Sequence, residues 1–571
     1  MKKLWIEPSA IDALQTESLA RRLNVLPLVA QILLRRGLNE ETAPDFLRPT
    51  APRFRSYTDL PGAEAAGNRL AEAVKRNERI AVFGDYDVDG ISATALMLEF
   101  IRSRGGTAEA YLPHRLENGY GLNAPAVQEM AASGAKLLVT VDCGITASTE
   151  VALARERGLE VLITDHHEPG AETPQANLVV DPKIGSDPDW KSLAGVGVAF
   201  QVVRAAAAAL GEKDPEALRR FLDLVALGTI ADVVPLVGEN RLLVRAGLVV
   251  INRSQRIGLA ALARAAGLKD KPVTSLDVAF RLGPRLNAAG RLGDARRGLD
   301  LLLAHDAEDA QNLAAFLHSQ NQERQNLEQA VLAQAEAHIA AAPDLPSVLI
   351  AVGKDWPAGV VGLVASRLCD KYGRPSIIFT QEKNLLRGSA RSIPGFPLHQ
   401  VLPGLEGLLQ QWGGHELAAG VKLEEGRLDA FAAAMQAEAS IRLGAETLAP
   451  RLRLEANSEI GELNPRLISE LRQFEPFGCQ NPRPLLGFKR LKLCLPPRVV
   501  GEKHLKFKVT DDRGRYLDAI GFGLGHRAEE AALHNLIDIA GYASENVWNQ
   551  STTLQVEIKD FRPSDPNQPR A

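Results

Sequence analysis

The stretch RIAVFGDYDVDG, residues 79–90, organises the rest of the chain. Its apolar run predicts a buried strand, and a helix is predicted over 91–104. Between them lie Asp85, Asp87 and Asp89 at alternate positions, with Gly90 closing the turn. Carboxylates this close repel one another, and a bound cation is the main means by which a fold holds them together. The alternative is an acidic surface turn, since Asp and Gly are ordinary turn residues.

The composition is that of an ordinary globular protein, with 571 residues of which 45% are hydrophobic and 24% charged. This length predicts about three to five domains. The formal net charge of −4 means that a nucleic-acid site would have to be a local basic patch. The four cysteines are widely spaced without a CxxC pair, which argues against a zinc knuckle or a disulfide framework and is typical of a reducing cytoplasm. We expect neither a signal peptide nor a membrane span.

Strands and helices alternate from about residue 60, a pattern that predicts a parallel, doubly wound sheet. Three successive apolar runs each end in a carboxylate: Asp85, Asp142 and Asp165. Because the carboxyl ends of parallel strands lie on one edge of a sheet, we expect these groups to meet there.

Two histidines, His166 and His167, follow directly after Asp165. Histidine with aspartate suits a transition metal such as Mn²⁺, whereas carboxylates alone suit Mg²⁺. A capping aspartate beside two surface histidines is the alternative for this segment. Asp232 lies in an otherwise apolar run, 221–236, where a buried carboxylate is costly unless paired or metal-bound. It is therefore a further ligand candidate, with helix capping as the alternative.

The sequence GPRLNAAGR, residues 283–291, predicts a turn of small residues flanked by Arg281, Arg285 and Arg291. Arginine makes bidentate contacts to phosphate, so these side chains are candidates for binding a phosphate group. Solvated arginines at a helix–loop junction fit the pattern equally well.

A long helix is predicted over 308–341, a segment without Gly or Pro that would be about 50 Å long. Its polar composition predicts a largely solvated connector between two lobes, and a cleft between lobes would suit a substrate. A second α/β unit follows, with Ser389 and Arg391 in one stretch and Gly414 and His415 in GGHELAAG. Backbone amides near such glycines can cradle a phosphate, although an ordinary turn is the equal alternative.

From about residue 450 short alternating runs punctuated by proline predict a small β-barrel of the OB kind. Basic and aromatic residues interleave there, as in proteins that bind single strands by charge and stacking. The candidates for such binding are Lys503, Lys506 and Phe507, and a solvated basic sheet face is the alternative.

The motifs GDYDVDG, VTVDCG, TDHH and GTIADVV resemble the successive motifs of the DHH phosphoesterase superfamily. GGHELAAG resembles the hallmark of the accessory DHHA1 domain. Together with GPRLNAAGR and the OB-like region, the order and spacing resemble the bacterial RecJ family of single-stranded-DNA exonucleases over nearly the whole chain. The resemblance implies an α/β fold in which a parallel-sheet DHH domain is joined by a long helix to a smaller α/β DHHA1 domain, with a C-terminal OB-like β-barrel.

On this basis we expect an N-terminal helical arm followed by four further segments and a tail. The expected bounds are 1–50 for the arm, 51–304 for the DHH domain, 305–342 for the connecting helix, 343–449 for the DHHA1 domain, 450–561 for the OB-like domain and 562–571 for a disordered tail.

The resemblance also implies a role for each candidate residue. One divalent ion would be held by Asp85, Asp87 and Asp142, where Asp85 replaces a histidine that many superfamily members carry near the position of Phe83. The second ion would be held by Asp89, Asp142, His166 and Asp232, so that Asp142 is shared. His167 would contact the scissile phosphate. The strand would be held near its 5′ end by Ser389, Arg391, Gly414 and His415, and along its phosphates by Arg285 and Arg291.

The implied activity is 5′-to-3′ hydrolysis of single-stranded DNA to 5′-mononucleotides with two Mn²⁺ or Mg²⁺ ions, in DNA repair and recombination. The resemblance further implies a cytoplasmic monomer that acts with a helicase and a single-strand-binding protein. One alternative is a DHH enzyme for a pyrophosphate, oligonucleotide or cyclic dinucleotide, although such substrates need no DNA-tracking module. The other is a non-catalytic scaffold at a replication fork, against which the intact ligand set argues.

Overall fold

The computed structural model of the chain describes residues 3–48, 54–113, 121–253, 256–269, 271–292, 295–444, 448, 450–548 and 551–565. The chain forms two compact units. The first comprises Met1–Thr50, Ala330–Glu475 and Arg483–Ala571, and the second comprises Ala51–Gln329 and Pro476–Pro482. The second unit, which carries the aspartate stretch, is therefore an insertion within the sequence of the first.

The chain starts with a short strand and three helices of the first unit. These are β1 (Leu4–Ile6), α1 (Ala13–Leu23), α2 (Pro27–Arg35) and α3 (Ala43–Leu47). Pro27 takes the first position of α2, where no backbone N–H is needed.

A parallel sheet of five strands lies at the centre of the second unit. Its strands are β2 (Arg79–Gly84), β3 (Thr107–Tyr111), β4 (Leu137–Val141), β5 (Glu160–Thr164) and β6 (Leu178–Val180). Their order across the sheet is β3-β2-β4-β5-β6, and every neighbouring pair is parallel. Along β2, Ile80 and Val82 belong to one apolar core and Ala81 and Phe83 to another. Both faces of the sheet are thus buried, and the predicted doubly wound sheet is confirmed.

Helices supply the two cores that cover this sheet. They are α4 (Ala63–Lys75), α5 (Val88–Ser103), α6 (Ala124–Ala132), α7 (Ser148–Glu156), α8 (Gly195–Ala209), α9 (Leu222–Ala231), α10 (Gly238–Asn252), α11 (Ile257–Ala265), α12 (Ser275–Asp277), α13 (Gly283–Leu292) and α14 (Arg296–Leu302). The predicted turn at GPRLNAAGR is wrong, because this stretch forms α13. Pro284 falls in the first turn of the helix, where proline is tolerated, and Leu286, Ala288 and Ala289 are buried.

The predicted long helix is confirmed as α15 (Ala307–Ala340), with 34 residues. It differs from the expected solvated connector, because a stripe of residues along it is buried. The stripe consists of Ala310, Ala314, Leu317, Asn321, Arg324, Glu328, Val331, Ala335 and Ile339. This spacing of three and four residues is that of one helix face. Composition alone did not reveal this buried stripe, because three polar residues, Asn321, Arg324 and Glu328, lie at the centre of the stripe.

A mixed sheet with three helices follows in the first unit. Its elements are β7 (Leu349–Lys354), α16 (Ala358–Tyr372), β8 (Ser376–Glu382), β9 (Leu385–Arg391), α17 (Leu398–Val401), β10 (Gln411–Gly414), β11 (Ala418–Glu424) and α18 (Leu428–Arg442). The strand order is β10-β11-β9-β8-β7, in which β7 and β8 are parallel and the other pairs antiparallel. The predicted second α/β unit is confirmed.

The C-terminal region contains the predicted barrel. Its elements are β12 (Arg451–Arg453), β13 (Ala456–Asn457), α19 (Pro465–Arg472), β14 (Leu486–Leu493), β15 (Arg498–Val500), β16 (His504–Thr510), β17 (Tyr516–Gly521), α20 (Ala528–Ala532), β18 (Leu536–Trp548) and β19 (Ser551–Pro563). The sheet order is β13-β14-β18-β19-β17-β16-β15, and β14 also pairs with β16, which closes the sheet on itself. The tail expected from residue 562 is corrected, because Arg562 belongs to β19 and pairs with Asp538 of β18; residues 566–571 lie outside the described residues.

The start of the chain is joined to its end within the first unit. β1 pairs in parallel with β12, and the indole Nε1 of Trp5 donates to Asp560 Oδ2 at 2.8 Å. The predicted helical arm is therefore attached through a strand that the sequence pattern did not reveal. In the part of the chain that the structure describes, no helix combines the length and apolarity needed to cross a membrane.

Candidate metal centre

The aspartate stretch is shaped by a helix cap. Oδ1 of Asp87 accepts the backbone N–H groups of Asp89 at 2.9 Å and Gly90 at 3.1 Å, which starts α5 at Val88. Asp89 thus lies within the first helical turn rather than in a loop. Asp85 follows β2 directly and is buried. A Cβ at position 90 would lie 2.6 Å from the backbone N of Asp85, so the close passage of these two segments requires glycine.

The carboxylate of Asp89 faces the amino end of α8. Its Oδ2 accepts the N–H of Gly195 at 2.7 Å, and its Oδ1 accepts the N–H of Val196 at 3.0 Å. The positive end of the helix dipole stabilises this buried charge. A Cβ at position 195 would collide with Oδ1 of Asp142, so the helix end packs directly against two aspartates.

Two further aspartates lie at strained or unfavourable positions. Asp142 follows β4 in the left-handed backbone region, with φ of 61°. Asp232 is the C-cap of α9, where the negative end of the helix dipole disfavours a carboxylate. Val233, next to it, has φ of 63°, an unusual conformation for a β-branched residue. Backbone strain of this kind concentrates at functional sites.

The imidazole of His166 converges on three of these carboxylates. Its Nε2 lies 3.1 Å from Asp142 Oδ1, 3.6 Å from Asp232 Oδ2 and 3.9 Å from Asp89 Oδ2. This buried nitrogen has no hydrogen-bond partner among the residues that the structure describes. Burial and the neighbouring His167 lower the pKa of His166 to about 4. A neutral imidazole nitrogen among carboxylate oxygens is a donor set for a divalent transition metal.

The structure brings together all the predicted metal ligands. Ligand atoms within 4.8 Å of one another form three groups, which are Asp85 with Asp87 and Asp142, Asp89 with His166 and Asp232, and Asp142 with His166 and His167. Asp142 and His166 each belong to two groups. The candidate ligands therefore form one continuous cluster, in which one group has carboxylate oxygens only and the other two groups combine carboxylate oxygens with imidazole nitrogens.

The electrostatics of the cluster fit the implied divalent ions. Burial and repulsion from Asp87 raise the pKa of Asp89 to about 7. Burial and the neighbouring aspartates raise the pKa of Asp142 and of Asp232 well above the usual range. The charged form of these three carboxylates is therefore destabilised by burial and by neighbouring carboxylates, and a cation would relieve this. Carboxylate oxygens with one imidazole suit Mn²⁺ and also accept Mg²⁺.

Asp165 is a site residue to which the sequence assigned no role. Its Oδ1 accepts the N–H of His166 at 2.7 Å and lies 2.7 Å from Nδ1 of His167, while Oδ2 accepts the N–H of Ile145 at 2.9 Å. Although burial alone lowers the pKa of His167, its hydrogen bond to Asp165 and the attraction between their charges raise it to about 9. Asp165 thus orients the ring of His167 and ties the end of β5 to the loop after β4. Its position at a strand end was the available signal.

An open cavity of about 280 Å³ lies beside the aspartates, and we call it the acid cavity. It is lined by Asp85, Tyr86, Asp87, Ala231, Asp232, Asn287 and Arg291. Asn287, which the sequence did not single out, accepts the N–H of Val88 at 3.1 Å and so holds the aspartate stretch against α13. Of the two predicted phosphate ligands on this helix, Arg291 lines the cavity. Arg285 does not, and its Nε instead donates to His318 Nδ1 at 3.2 Å.

The predicted DNA contacts of the mixed sheet lie in the first unit. Ser389 and Arg391 alternate along β9, and Arg391 Nη1 donates to Ser389 Oγ at 3.1 Å. His415 is exposed, but its N–H donates to the carbonyl of Ala418 at 2.8 Å within the β10–β11 hairpin. The expected cradle therefore lacks this amide. Gly414 is required by the hairpin itself, since a Cβ there would collide with the same carbonyl.

The predicted contacts of the barrel have different surroundings. Lys503 is exposed just before β16, and Lys506 is half-buried on β16 between Arg498 and Ile520 of the neighbouring strands. Phe507 is only 4% exposed and packs edge-on against Phe561, with ring centroids 6.3 Å apart. The prediction that its ring stacks on a base is wrong, because alternate residues of this strand point into the barrel.

Three family models match successive parts of the chain. They are the DHH family N-terminal domain over residues 79–229, the DHHA1 domain over 345–440 and the RecJ OB domain over 454–560.

The chain is also similar to curated proteins along most of its length. It is 36% identical over 555 residues to the single-stranded-DNA-specific exonuclease RecJ of Bacillus subtilis (strain 168), covering 96% of this chain and 70% of that protein. It is 38% identical over 504 residues to the protein of the same name from Thermus thermophilus, covering 88% and 71%. Among solved structures, the crystal structure of RecJ in complex with Mn²⁺ from Thermus thermophilus matches with a TM-score of 0.84 and 33% identity. That match covers 100% of this chain and 80% of the other.

Proposed function

The chain belongs to the RecJ family of single-stranded-DNA-specific exonucleases, and from this we propose that it degrades single-stranded DNA from the 5′ end to 5′-mononucleotides by metal-dependent hydrolysis. The observation that carries the proposal is the convergence of His166 Nε2 on the carboxylates of Asp142, Asp232 and Asp89. A buried cluster of this kind has no evident structural use without a cation.

We assign the ligands to two divalent ions. One is held by Asp85, Asp87 and Asp142, and the other by Asp89, Asp142, His166 and Asp232. When bound, such ions polarise the phosphodiester and lower the pKa of a coordinated water, so that a nucleophile exists at neutral pH. The grouping of the ligand atoms supports this assignment.

The remaining residues of the second unit position the substrate. Asp165 keeps the imidazole of His167 protonated and oriented, so that it can neutralise charge that develops on the scissile phosphate. Asn287 holds the aspartate stretch, and Arg291 offers a guanidinium to a phosphate at the acid cavity. Arg285, anchored on His318, binds a phosphate farther along the strand.

The first unit supplies further contacts to the strand. Ser389 and Arg391 form a hydrogen-bonded pair that offers a hydroxyl and a guanidinium to the 5′ end, beside Gly414 and His415. In the barrel, the exposed Lys503 and the half-buried Lys506 bind phosphates farther along. The chemistry of these donors supports the assignment, since none is an acidic group.

We further propose that the protein acts as a cytoplasmic monomer on strands supplied by a helicase and a single-strand-binding protein. All four cysteines are free, two of them buried, which fits a reducing compartment. A role for these partners in DNA repair and recombination follows from the family resemblance.

The test is a time course on a 3′-labelled single-stranded oligonucleotide with Mn²⁺, with parallel reactions in chelator and on a blunt duplex. We expect stepwise shortening from the 5′ end that requires both the metal and the single strand. Asp142→Asn is the matched variant, which should bind the strand without shortening it. If the oligonucleotide stays intact while a dinucleotide or pyrophosphate is cleaved, the assignment of the metal centre stands but the assignment of single-stranded DNA as the substrate is wrong.

A further inference from the structure

One face of α13 and of the turn before it leads away from the acid cavity. The larger side chains that are not buried between 278 and 291 are those of Phe280, Arg281, Pro284, Arg285, Asn287 and Arg291. Their spacing of three and four residues places them on one side of the helix, while the opposite side is buried in the core. The face is therefore a continuous surface of basic, polar and aromatic groups.

The inner end of this face belongs to the candidate active site. Asn287 and Arg291 line the acid cavity together with Asp85 and Asp232. At 1.5 Å per residue, Phe280 lies about 16 Å along the helix from Arg291. A strand whose end is in the cavity can therefore extend along the face for several nucleotides.

The outer end carries an exposed phenylalanine. Phe280 is 75% exposed, although burying such a ring would contribute about 1.5–3 kcal/mol of stability. It lies in a turn of π-helix, Val278–Leu282, a conformation that is rare and frequently found at functional sites. Single exposed apolar residues are common, so exposure alone carries no conclusion. Phe280 differs from the other exposed apolar residues because it lies on the same helix face as Arg291, which lines the acid cavity.

Basic groups flank the ring. Arg281, with 49% of its side chain exposed, lies 3.6 Å from Asp277, and Arg285 is held by His318 and by the carbonyl of Arg281. Interleaved cations and aromatic rings bind single-stranded nucleic acid through phosphates and stacked bases.

We propose that Phe280 is a stacking platform for a nucleobase of the substrate strand, outside the acid cavity. The inference rests on the proposed function, because the same strand provides the phosphates for the arginines and the base for the ring. An exposed ring beside two arginines, on a face that leads to the acid cavity, is complementary to a single strand in both charge and shape. A duplex, whose bases are already stacked on one another, offers no free base to this ring.

Three substitutions at this position separate stacking from simple apolar packing. Phe280→Ala and Phe280→Leu both remove the π-face, whereas Phe280→Trp retains it. We expect a rise in KM of about 5- to 100-fold for the Ala and Leu variants, with kcat nearly unchanged, and wild-type KM for the Trp variant. Ile184→Ala, which removes another exposed apolar side chain of the same unit (51% exposed), is the control and should leave KM unchanged.

The matching change in the substrate is one abasic position moved along the oligonucleotide. At one position it should raise the KM of the wild-type enzyme as much as Phe280→Ala does, and it should add nothing in the Phe280→Ala enzyme. In the Asp142→Asn background, which allows binding without cleavage, the fluorescence of 2-aminopurine at that position should be quenched when Phe280 is present. The quenching should be lost when the Phe280→Ala substitution is added to that background.

Each other outcome has a defined meaning. If Phe280→Ala shortens the strand normally with unchanged KM, the stacking inference is wrong while the proposed function stands. The same holds if Phe280→Leu has the wild-type KM. It also holds if the increase in KM caused by the abasic position and the increase caused by Phe280→Ala multiply when the two are combined. If the 2-aminopurine fluorescence is quenched equally with Phe280 and with Phe280→Ala, this binding measurement overturns the stacking inference independently of catalysis. Absence of any shortening by the wild-type enzyme overturns the proposed function instead.

Discussion

Two buried clusters of charge lie in the same unit of this protein, and they are balanced differently. In one, Arg256 is buried between Asp223, at 2.7 Å from its Nε, and Glu99, at 2.5 Å from its Nη1. In the other, the candidate metal centre, the carboxylates of Asp89 and Asp142 face a neutral His166. The first cluster is compensated within the chain, whereas the second needs charge from outside. Unbalanced burial, rather than burial itself, therefore marks the functional site.

The two clusters share the same helices. Glu99 and Asp89 are both on α5, and Asp223 lies on α9, whose C-cap is Asp232. Arg256 also donates to the carbonyl of Leu302, at the end of α14. The balanced cluster thus fixes the separation of the helices that carry two of the candidate ligands.

The largest effect is expected from neutralising one charge of the unbalanced cluster. Asp142→Asn should reduce exonuclease activity by about a thousandfold or more, since it removes a ligand of both ions. The same change should raise the thermal stability of the metal-free protein, because it removes repulsion among buried carboxylates. Activity assays and thermal melts in chelator measure the two effects.

The control for this variant is Asp223→Asn, which neutralises a carboxylate of the balanced cluster. It should lower stability and leave the activity per folded molecule nearly unchanged. If Asp142→Asn is destabilising in chelator, the cluster is not under the electrostatic strain that we describe.

Removing the cation of the balanced cluster should have the next largest effect. Arg256→Met leaves the buried Asp223 and the half-buried Glu99 without a compensating charge, at an expected cost of about 3–5 kcal/mol in the unfolding free energy. Urea unfolding followed by circular dichroism measures it. Arg219→Met, which breaks an exposed ion pair with Glu216, should cost less than about 1 kcal/mol. Equal effects of the two variants would contradict the contrast between the clusters.

Metal and pH should act on the unbalanced cluster in a linked way. Because the folded-state pKa of Asp89 is raised to about 7, the native protein binds more protons than the unfolded chain between about pH 4 and 7. In chelator, stability should therefore fall as pH rises through this window. Mn²⁺ at about a hundred times its dissociation constant should add about 2.7 kcal/mol at pH 7. Thermal melts across this pH range, with and without Mn²⁺, test both statements. A metal-free stability that rises from pH 4 to 7 would refute the first, and an unchanged stability at pH 7 on adding Mn²⁺ would refute the second.

The smallest effect is expected from relieving backbone strain beside Asp232. Val233 is 67% exposed and has a positive φ, so Val233→Gly should raise the unfolding free energy by about 1 kcal/mol. Since the strain helps to hold Asp232, we expect a severalfold fall in kcat/KM. Val249→Gly, in the regular helix α10, should instead lower stability by a similar amount. A loss of stability in both variants would show that Val233 is not strained.

The sequence was sufficient to predict the sheet and the meeting of aspartates and histidines at its edge, because strand ends in a parallel sheet meet at one edge. It predicted that Asp85, Asp142 and His166 would come together although they follow three separate strands. The division of the ligands between two ions rests on the family resemblance. The sequence did not predict that Asp89 lies within a helix, because that depends on the cap by Asp87. Nor did it reveal Asn287, since one amide in a motif of small residues has no periodic signal.

The structure also differs from the sequence predictions where the same residues fit two sequence patterns, one for a binding or solvated surface and one for a structural role. Phe507 lies between basic residues, which is typical of a stacking surface, yet the period of its strand places it in the barrel core. The amide of His415 follows two glycines, yet hairpin pairing uses it. In α15, the polar residue Arg324 continues a buried stripe, which composition does not distinguish from a solvated face. In each case backbone pairing or core packing in the folded chain decided between two patterns that the sequence leaves equal.

The attachment of Trp5 to Asp560 has a consequence for the synthesis of the protein. These partners are 555 residues apart in the chain, and β1 likewise pairs with a strand that lies beyond the whole of the 51–329 segment. On the ribosome, that segment can therefore fold, and its candidate metal ligands can assemble, while the first strand still waits for a partner. Such distant contacts make folding slow. During synthesis β1 therefore stays unpaired until β12 has emerged, and Trp5 lacks its hydrogen-bond partner until Asp560 of the last strand has emerged.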